Sequence, residues 1–372
     1  MRGERTALIS QMHWSVVLLT GGCGADGLFD FQRPVLMEPA GQHMLREIPP
    51  AWHTITLEDR TACEKAGLTG RVMLFEKPVP ELTAQDYFRL ADRFFQMNAA
   101  VVTVRDCTGE PVGILCDAAV LSQRQTSGAA VNLTVTAVTS VARAYEVQCR
   151  MQKRTAHRLM ENGVCIMDPD GTWIAADAVI GAGSCILPGT MIYPGCRIGR
   201  FCTIGPNSVL KQTEVGDRTE INASQVAEST VGADSTIGPF AYIRPGCNVG
   251  DRTKIGDFVE LKNAVIGDDT KASHLTYIGD ADVGNNVNFG CGTVVVNYDG
   301  YEKHRTAIGD DCFIGCNTNL VAPVRLGDRV LTAAGSTITD DVPDGAMAMA
   351  RARQKNKLGW NDARIDAHRS DR

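Results

Sequence analysis

Long apolar runs are missing: nothing in the 372 residues approaches the ~18 consecutive apolar positions of a membrane-spanning helix. The apolar stretch WSVVLLTGG (14–22) is short and ends in glycines. It reads as a buried strand rather than a signal peptide, so a cytoplasmic location and no membrane partner are expected. Excess positive charge is also missing. With 37 basic and 43 acidic residues and a net charge of -6, bulk charge excludes a nucleic-acid binder. At 44% hydrophobic the chain has ample material for a core, which excludes bulk disorder. No Cys-x-x-Cys occurs, and the 13 cysteines are an odd number. Neither a disulfide framework nor a zinc ribbon is expected, and the cysteines read as reduced structural thiols. Histidine is scarce: between 174 and 345 only His274 and His304 occur.

What is abundant is a six-residue period. From Ile174 the chain divides as IAADAV IGAGSC ILPGTM IYPGCR IGRFCT IGPNSV, and resumes as VGADST IGPFAY IRPGCN VGDRTK IGDFVE (231–260) and IGDDCF IGCNTN LVAPVR LGDRVL TAAGST (308–337). Each unit opens with an aliphatic residue, small residues often follow, and the fifth place is small. Such self-similarity signals a solenoid in which three units close one coil of about 18 residues and stacked coils bury a column of Ile, Val and Leu. Glycine and asparagine at the corners tolerate positive φ. Cys196, Cys202, Cys247 and Cys312 fall at the fifth place and are expected to be buried. Five-residue steps, LKQTE (210–214) and LKNAV (261–265), slip the register. The stretch VVNYDGYEKHRTA (295–307) is too long and too polar for a corner. It is expected to leave the solenoid as a functional loop.

Residues 134–162 show apolar positions at steps of three and four, Val138, Val141, Tyr145, Cys149, Ala156, Leu159 and Met160. They predict one linker helix, 134–163, closed by Gly163. Residues 1–133 alternate strand-like runs at 16–20, 71–75 and 99–104 with a helical stretch at 83–98, which predicts a small α/β domain. The solenoid occupies 164–345, and a basic tail, 346–372, follows it. The tail, with ARARQKNKLGW at 350–360, reads either as a solvated face or as an anion grip.

His274 and Tyr277 stand together in KASHLTYIGD (271–280). A histidine on a solenoid is a surface residue, a metal ligand or a general base. Three zinc-binding histidines are hard to draw from two. A base that takes a proton from an attacking amine fits better. Arg244 and Lys262 lie one coil apart by 18-residue stacking and offer an anion site on one face.

Several stretches are specific beyond the period: IGPFAYIRPG (237–246), IGDFVELKNA (255–264), KASHLTYIGDADVGNNVNFGCGTVVVNYDG (271–300), NLVAPV (319–324) and AMARARQKNKLGW (348–360). They resemble the acetyltransferase half of the bacterial bifunctional glucosamine-1-phosphate acetyltransferase / N-acetylglucosamine-1-phosphate uridyltransferase family. The resemblance implies a left-handed parallel β-helix and direct acetyl transfer from acetyl-CoA to the 2-amino group of glucosamine 1-phosphate, for UDP-GlcNAc and cell-wall synthesis. It implies His274 as general base. Arg244 and Lys262 would grip the phosphate, and Tyr277, Asn288, Asn297, Tyr298 and Lys303 would line the sugar site. Gly290, Cys291, Gly292, Cys316, Ala334 and Arg351 would line the coenzyme A channel, within a homotrimer.

At the amino end the likeness changes character. The family's nucleotide-binding turn is matched by LTGGCGADG (19–27), with Gly22 and Gly24 kept and Asp26 at the arginine place. A carboxylate there repels a triphosphate. LFEKPVPEL (74–82) replaces the family's metal-binding Gly-Asp, and Asn132 resembles the second metal ligand. A degenerate nucleotidyltransferase-like domain over 1–133 is expected, with Mg²⁺ required only where uridyl transfer survives. Other readings stay open: an intact bifunctional enzyme, an acyltransferase of the same fold with another acceptor, and a catalytically silent trimeric scaffold.

Overall fold

The computed structural model describes residues 141–370 continuously. Before them it describes 14–19, 34–35, 38–39, 44, 48, 52–57, 71–75, 79, 81–82, 84–97, 99, 101–109, 111–117, 129–133, 135 and 137–138. The chain forms two compact units, Met1–Gln212 and Thr213–Arg372, so the division falls inside the hexapeptide run.

The first unit opens with a six-stranded sheet in the order His53–Leu57, Trp14–Leu19, Arg71–Phe75, Pro111–Asp117, Val101–Arg105, Ala130–Asn132. The first three strands pair parallel, Pro111–Asp117 pairs antiparallel with both of its neighbours, and the last pair is parallel again. Helix Ala84–Met97 packs on the sheet through Tyr87, Leu90, Ala91 and Phe94. Trp14 lies against Trp52 and Phe94, with ring centroids 5.8 and 5.7 Å apart. The expected strands and helix are present. His53–Leu57, Pro111–Asp117 and Ala130–Asn132 are additional. The nucleotide-turn residues Gly22, Gly24 and Asp26 lie outside the described residues.

The linker helix runs Val141–Glu161, shorter at its start than the periodicity predicts. Val135 and Ala137 bond instead to the end of the sheet: the Cys107 amide donates to the Val135 carbonyl and the Ala137 amide to the Asp106 carboxylate. The helix buries Val147, Met151, Ala156 and Leu159. Tyr145 and Met160, placed on the apolar stripe by the sequence, are exposed.

From Cys165 onward the hexapeptides form the predicted parallel β-solenoid. Strands of two to four residues repeat once per coil on each of three faces. Within the first unit Ile166, Ile186 and Ile204 stack on one face, and Ile174, Ile192 and Leu210 on another. In the second unit Ile237, Ile255, Ala272, Phe289, Ile314 and Thr332 form one such inward column, and Ile243, Leu261 and Ile278 belong to another. Fully burying one aliphatic side chain contributes about 1.5–3 kcal/mol, so a column of them carries the fold. Cys196, Cys202, Cys247 and Cys312 are buried at the fifth place as expected.

Each coil turns at the third and fourth places of its units. The fourth place has positive φ, and glycine and asparagine are not its only occupants: Phe240, Arg252, Phe258 and Leu275 sit there too, at 60°, 55°, 55° and 45°. The second-place glycines answer a different need. A Cβ on Gly250, Gly284, Gly309 or Gly327 would lie 2.1–2.5 Å from the carboxylate oxygen of Asp268, Asp310, Asp328 or Asp344 in the next coil. Close approach, rather than backbone freedom, demands glycine there. No described helix is long and apolar enough to cross a membrane.

Candidate functional site

Two corners of the second unit gather the chemistry. At the first, register places third-place residues one above another. Asp257 pairs with His274. Ala272 pairs with Phe289, Phe289 with Ile314 and Ile314 with Thr332. Two residues further along each strand come His274, Cys291, Cys316 and Ala334. The candidate base and three of the residues expected to line a coenzyme A channel therefore form one column.

His274 ends the strand Lys271–His274, and its side chain is 58% exposed. Its Nδ1 lies 2.6 Å from Asp257 Oδ1. With Nδ1–H donated to the carboxylate, Nε2 is the free basic nitrogen. The hydrogen bond from His274 holds the Asp257 carboxyl below the usual carboxylate range. Asp257 was not singled out from the sequence. Its signal is the 17-residue step back from His274, shortened from 18 by the five-residue unit LKNAV.

The second corner is built on Asp280, which is 7% exposed. Lys262 Nζ donates to its two carboxylate oxygens at 2.9 and 3.2 Å, and Asn263 Nδ2 donates at 2.7 Å. Asn297 Nδ2 donates to it as well and lies 3.4 Å from the Tyr277 hydroxyl. Burial opposes ionisation of Asp280, but the hydrogen bonds from Asn263, Lys262 and Asn297 outweigh it and hold the carboxyl below its usual range. Arg244 follows Ile243, which pairs with Leu261, so Arg244 is level with Lys262. It is held by Glu260 at 2.9 Å. Lys303 completes the group. Its ammonium is pushed toward deprotonation first by the adjacent Lys262, with Arg244 adding to the effect and Asp280 opposing it. Three cations, Lys262 held by Asp280 and Arg244 held by Glu260, thus lie in one cluster with Lys303, an arrangement whose cations can grip an anion such as a phosphomonoester.

Of the stretch 295–307, residues 298–305 leave the coil, while Val295, Val296, Thr306 and Ala307 stay in its strands. The excursion closes as a hairpin with Tyr298 bridged to Lys303. Asp299 organises the tip by accepting from the Tyr301 and Glu302 amides at 2.8 and 2.7 Å and by pairing with His304 at 2.7 Å. The Glu302 amide, followed by His304, holds the Asp299 carboxyl far below the usual range. His304 is occupied here, away from His274's column. Tyr298 donates to the Gly300 carbonyl at 2.6 Å.

Of the sequence-selected residues, the structure brings together Lys262, Tyr277, Asn297 and Lys303 around Asp280, with Arg244 level with Lys262 and paired to Glu260. It aligns His274, Cys291, Cys316 and Ala334 on the neighbouring corner. His274 and Tyr277 flank one turn of the same coil, at which the Thr276 hydroxyl donates to the His274 carbonyl at 2.7 Å. Asn288 shares His274's sheet one rung on, in register with Lys271, and is not in the Asp280 cluster. Arg351 is exposed just past the last rung, Met347–Ala348. Asn132 is exposed on the strand Ala130–Asn132. Among the described residues no group of three or more His, Cys, Asp or Glu is placed to hold a metal ion.

The bacterial transferase hexapeptide (six repeats) family matches residues 177–212, 228–263 and 305–340. The bifunctional protein GlmU of Clostridium perfringens (strain SM101 / Type A) is 52% identical over 223 residues, 60% of this chain and 49% of its own length. That of Clostridium tetani (strain Massachusetts / E88) is 50% identical over 215 residues, 58% of this chain and 47% of its own. The chain therefore spans about half the length of the curated relatives it matches. Among solved structures, the polySia specific acetyltransferase NeuO aligns with 56% of this chain and 95% of its own at 16% identity, with a TM-score of 0.24, too distant to bear on function. The chain thus carries the bacterial transferase hexapeptide repeat and is a relative of the bifunctional GlmU proteins over about three fifths of its length.

Proposed function

We propose that the solenoid transfers the acetyl group of acetyl-CoA to the 2-amino group of glucosamine 1-phosphate, giving N-acetylglucosamine 1-phosphate for UDP-GlcNAc synthesis. The observation that carries this reading is the Asp257–His274 pair, one turn of chain from a corner where Arg244, Lys262 and Lys303 converge. The three cations take the sugar phosphate. Asn297 and Tyr277 hold the sugar. His274 Nε2 accepts a proton from the amine as its lone pair attacks the thioester carbon. Asp257 stabilises the imidazolium that forms. The C–S bond breaks, and the proton passes from His274 to the departing thiolate. No covalent enzyme intermediate is needed.

The coenzyme fits the first corner on one structural ground: its column above His274 is built of small residues. The coil at Gly290 lies so close to the next that a Cβ there would meet the Cys316 amide nitrogen at 2.5 Å. Cys291, Cys316 and Ala334 would flank the thioester arm, and Arg351 in the basic tail would meet its phosphates. The working form in this proposal is a cytoplasmic homotrimer. In its support, Phe240, Phe258 and Leu275 stack beside Asp257 and His274, 59%, 58% and 56% exposed in the single chain, an apolar ridge that a second copy would cover. Uridyl transfer is no part of the proposed activity, because Asp26 stands where the family carries arginine.

The test is thiol release from acetyl-CoA across a panel of amino-sugar phosphates. Glucosamine 1-phosphate should be preferred, and release should collapse in His274→Ala. Unchanged release in that variant removes the base. Release of pyrophosphate from UTP and N-acetylglucosamine 1-phosphate in Mg²⁺ would restore the uridyltransferase.

A further inference from the structure

The solenoid stacks chemically equal residues wherever its sequence repeats one, and at the start of the solenoid it stacks two thiols. Cys165 in Cys165–Ile166 and Cys185 in Cys185–Ile186 are direct partners in a parallel ladder, alongside Ile166 and Ile186. The isoleucines point inward, 7% and 0% exposed, so both cysteines point outward on one face. The backbones are locked, since the Cys165 amide donates to the Ser184 carbonyl at 2.8 Å and the Cys185 amide to the Cys202 carbonyl at 2.8 Å. Cys165 is exposed and Cys185 half-buried. Neighbouring strands lie about 4.8 Å apart, inside the Cα separation of about 4.4–6.8 Å that a disulfide spans. Burial pushes the Cys185 thiol up, and its hydrogen bond with the Cys165 thiol adds to the shift. The two thiols therefore stand side by side on adjacent rungs of one face. Neither residue belongs to the proposed acetyl-transfer site.

We propose that Cys165 and Cys185 form a two-thiol modification site that a hydroperoxide closes into a disulfide across the first two rungs of the solenoid. The accessible Cys165 thiolate attacks the terminal peroxide oxygen. The O–O bond breaks, giving a sulfenic acid and, from hydrogen peroxide, one water. The Cys185 sulfur then attacks the sulfenic sulfur and expels a second water, which carries away the thiol proton. Two thiols are oxidised by two electrons and one peroxide is reduced, so the step balances. Thiol–disulfide exchange with a small dithiol reverses it.

The experiment uses the full chain treated with hydrogen peroxide. Remaining thiols are blocked and the protein is cleaved before aspartate, which separates the two cysteines at Asp168, Asp170 and Asp177. The expected result is one dithiothreitol-reversible cross-link between Cys165 and Cys185 and the loss of two free thiols per chain. Cys185→Ser should abolish the cross-link and drive Cys165 on to sulfinic acid, whereas Cys196→Ser should leave the cross-link intact. On the unoxidised native protein, phenylarsine oxide should bridge Cys165 and Cys185, a readout that needs no variant. Oxidation of Cys165 to sulfinic acid with Cys185 left free in the native chain overturns the proposal. So does arsenical bound to neither thiol.

Discussion

Three corners of the second unit are filled by the third residue of the six-residue unit, and they differ in one respect. One corner repeats itself. Asp251, Asp268, Asn285, Asp310, Asp328 and Asp344 each present a side-chain oxygen to a backbone amide of the preceding coil, at 2.7–3.1 Å. The other two do not. One reads Asp257, His274, Cys291, Cys316, Ala334, and the other passes through Asn263, Asp280 and Asn297. On the proposed function, the same backbone position serves architecture where its residue recurs and chemistry where it changes from rung to rung. Breaking a changing corner should alter turnover or binding. Breaking the repeating corner should alter stability alone.

The largest effect is expected at His274. Removing a general base costs about 10²–10⁴-fold in rate, so His274→Ala should lower kcat by that factor. The side chain is mostly exposed and fills no core, so the thermal midpoint should hardly move. A matching loss of stability would mean that this corner is architectural after all.

Asp257→Asn is the next step down. The amide oxygen can still accept Nδ1–H, so the ring keeps its orientation. The negative charge that stabilises the imidazolium is lost. Replacing the carboxylate beside a general-base histidine by an amide costs up to about 10⁴-fold in kcat in the serine-protease triad, and kcat should fall by up to that factor with KM for the sugar phosphate unchanged. A rise in KM with kcat preserved would move Asp257 from the base to the substrate grip.

The period made the fold legible. A hydrophobic first place and a small fifth place follow directly from a coil whose interior has room for one aliphatic residue per side, and Ile243, Leu261 and Ile278 obey it. The candidate base and cations were legible because His274, Arg244 and Lys262 depart from the unit. The carboxylates beside them were not. Asp257 and Asp280 look like any other third-place Asp of the repeating corner, and only the 17-residue rungs around LKNAV bring them under His274 and beside Lys262. The helix Val141–Glu161 starts later than the local period suggests for a related reason. Val135 and Ala137 continue the local pattern, but the Cys107 amide and the Asp106 carboxylate, distant in sequence, claim their backbone groups.

Asp280→Ala probes the second changing corner. It strips the partner from Lys262, Asn263 and Asn297 together. Leaving a buried partner unsatisfied costs about 1–3 kcal/mol, and a loss of that size is expected in denaturant unfolding at neutral pH. KM for the sugar phosphate should rise as Lys262 loses its anchor. The pH dependence carries a definite sign. The folded-state pKa of Asp280 is depressed. Its stabilisation is therefore fully present above the unfolded value of about 3.9 and is lost as pH falls through the folded value. The stability gap between Asp280→Ala and the native chain should be constant from neutral pH down to about 5 and should narrow below about 4. A gap that stays open in acid would mean the side chain acts by packing rather than by charge.

Asp268→Ala tests the repeating corner and should have the smallest effect. Its Oδ1 accepts from the Asp251 amide at 2.9 Å, and its Oδ2 lies 3.1 Å from Arg252. Arg252 keeps Asp269 at 2.9 Å, so its charge stays paired, and exposed ion pairs contribute little. What is lost is one side-chain bond to one amide, worth about 0.5–1.5 kcal/mol. The second-place glycine modifies the expectation. A Cβ at 250 would meet the Asp268 carboxylate at 2.5 Å and the Asp268 amide nitrogen at 2.9 Å, so removing the carboxylate relieves the nearest of these contacts and leaves the backbone one. Gly250→Ala alone should destabilise more than Asp268→Ala, and adding Asp268→Ala to it should recover part of the loss, a non-additive cycle. Turnover with saturating substrates should match the native chain in all three variants. Strict additivity would separate the glycine from the ladder. A fall in kcat would join the ladder to the catalytic corners and erase the distinction between rungs that repeat and rungs that change.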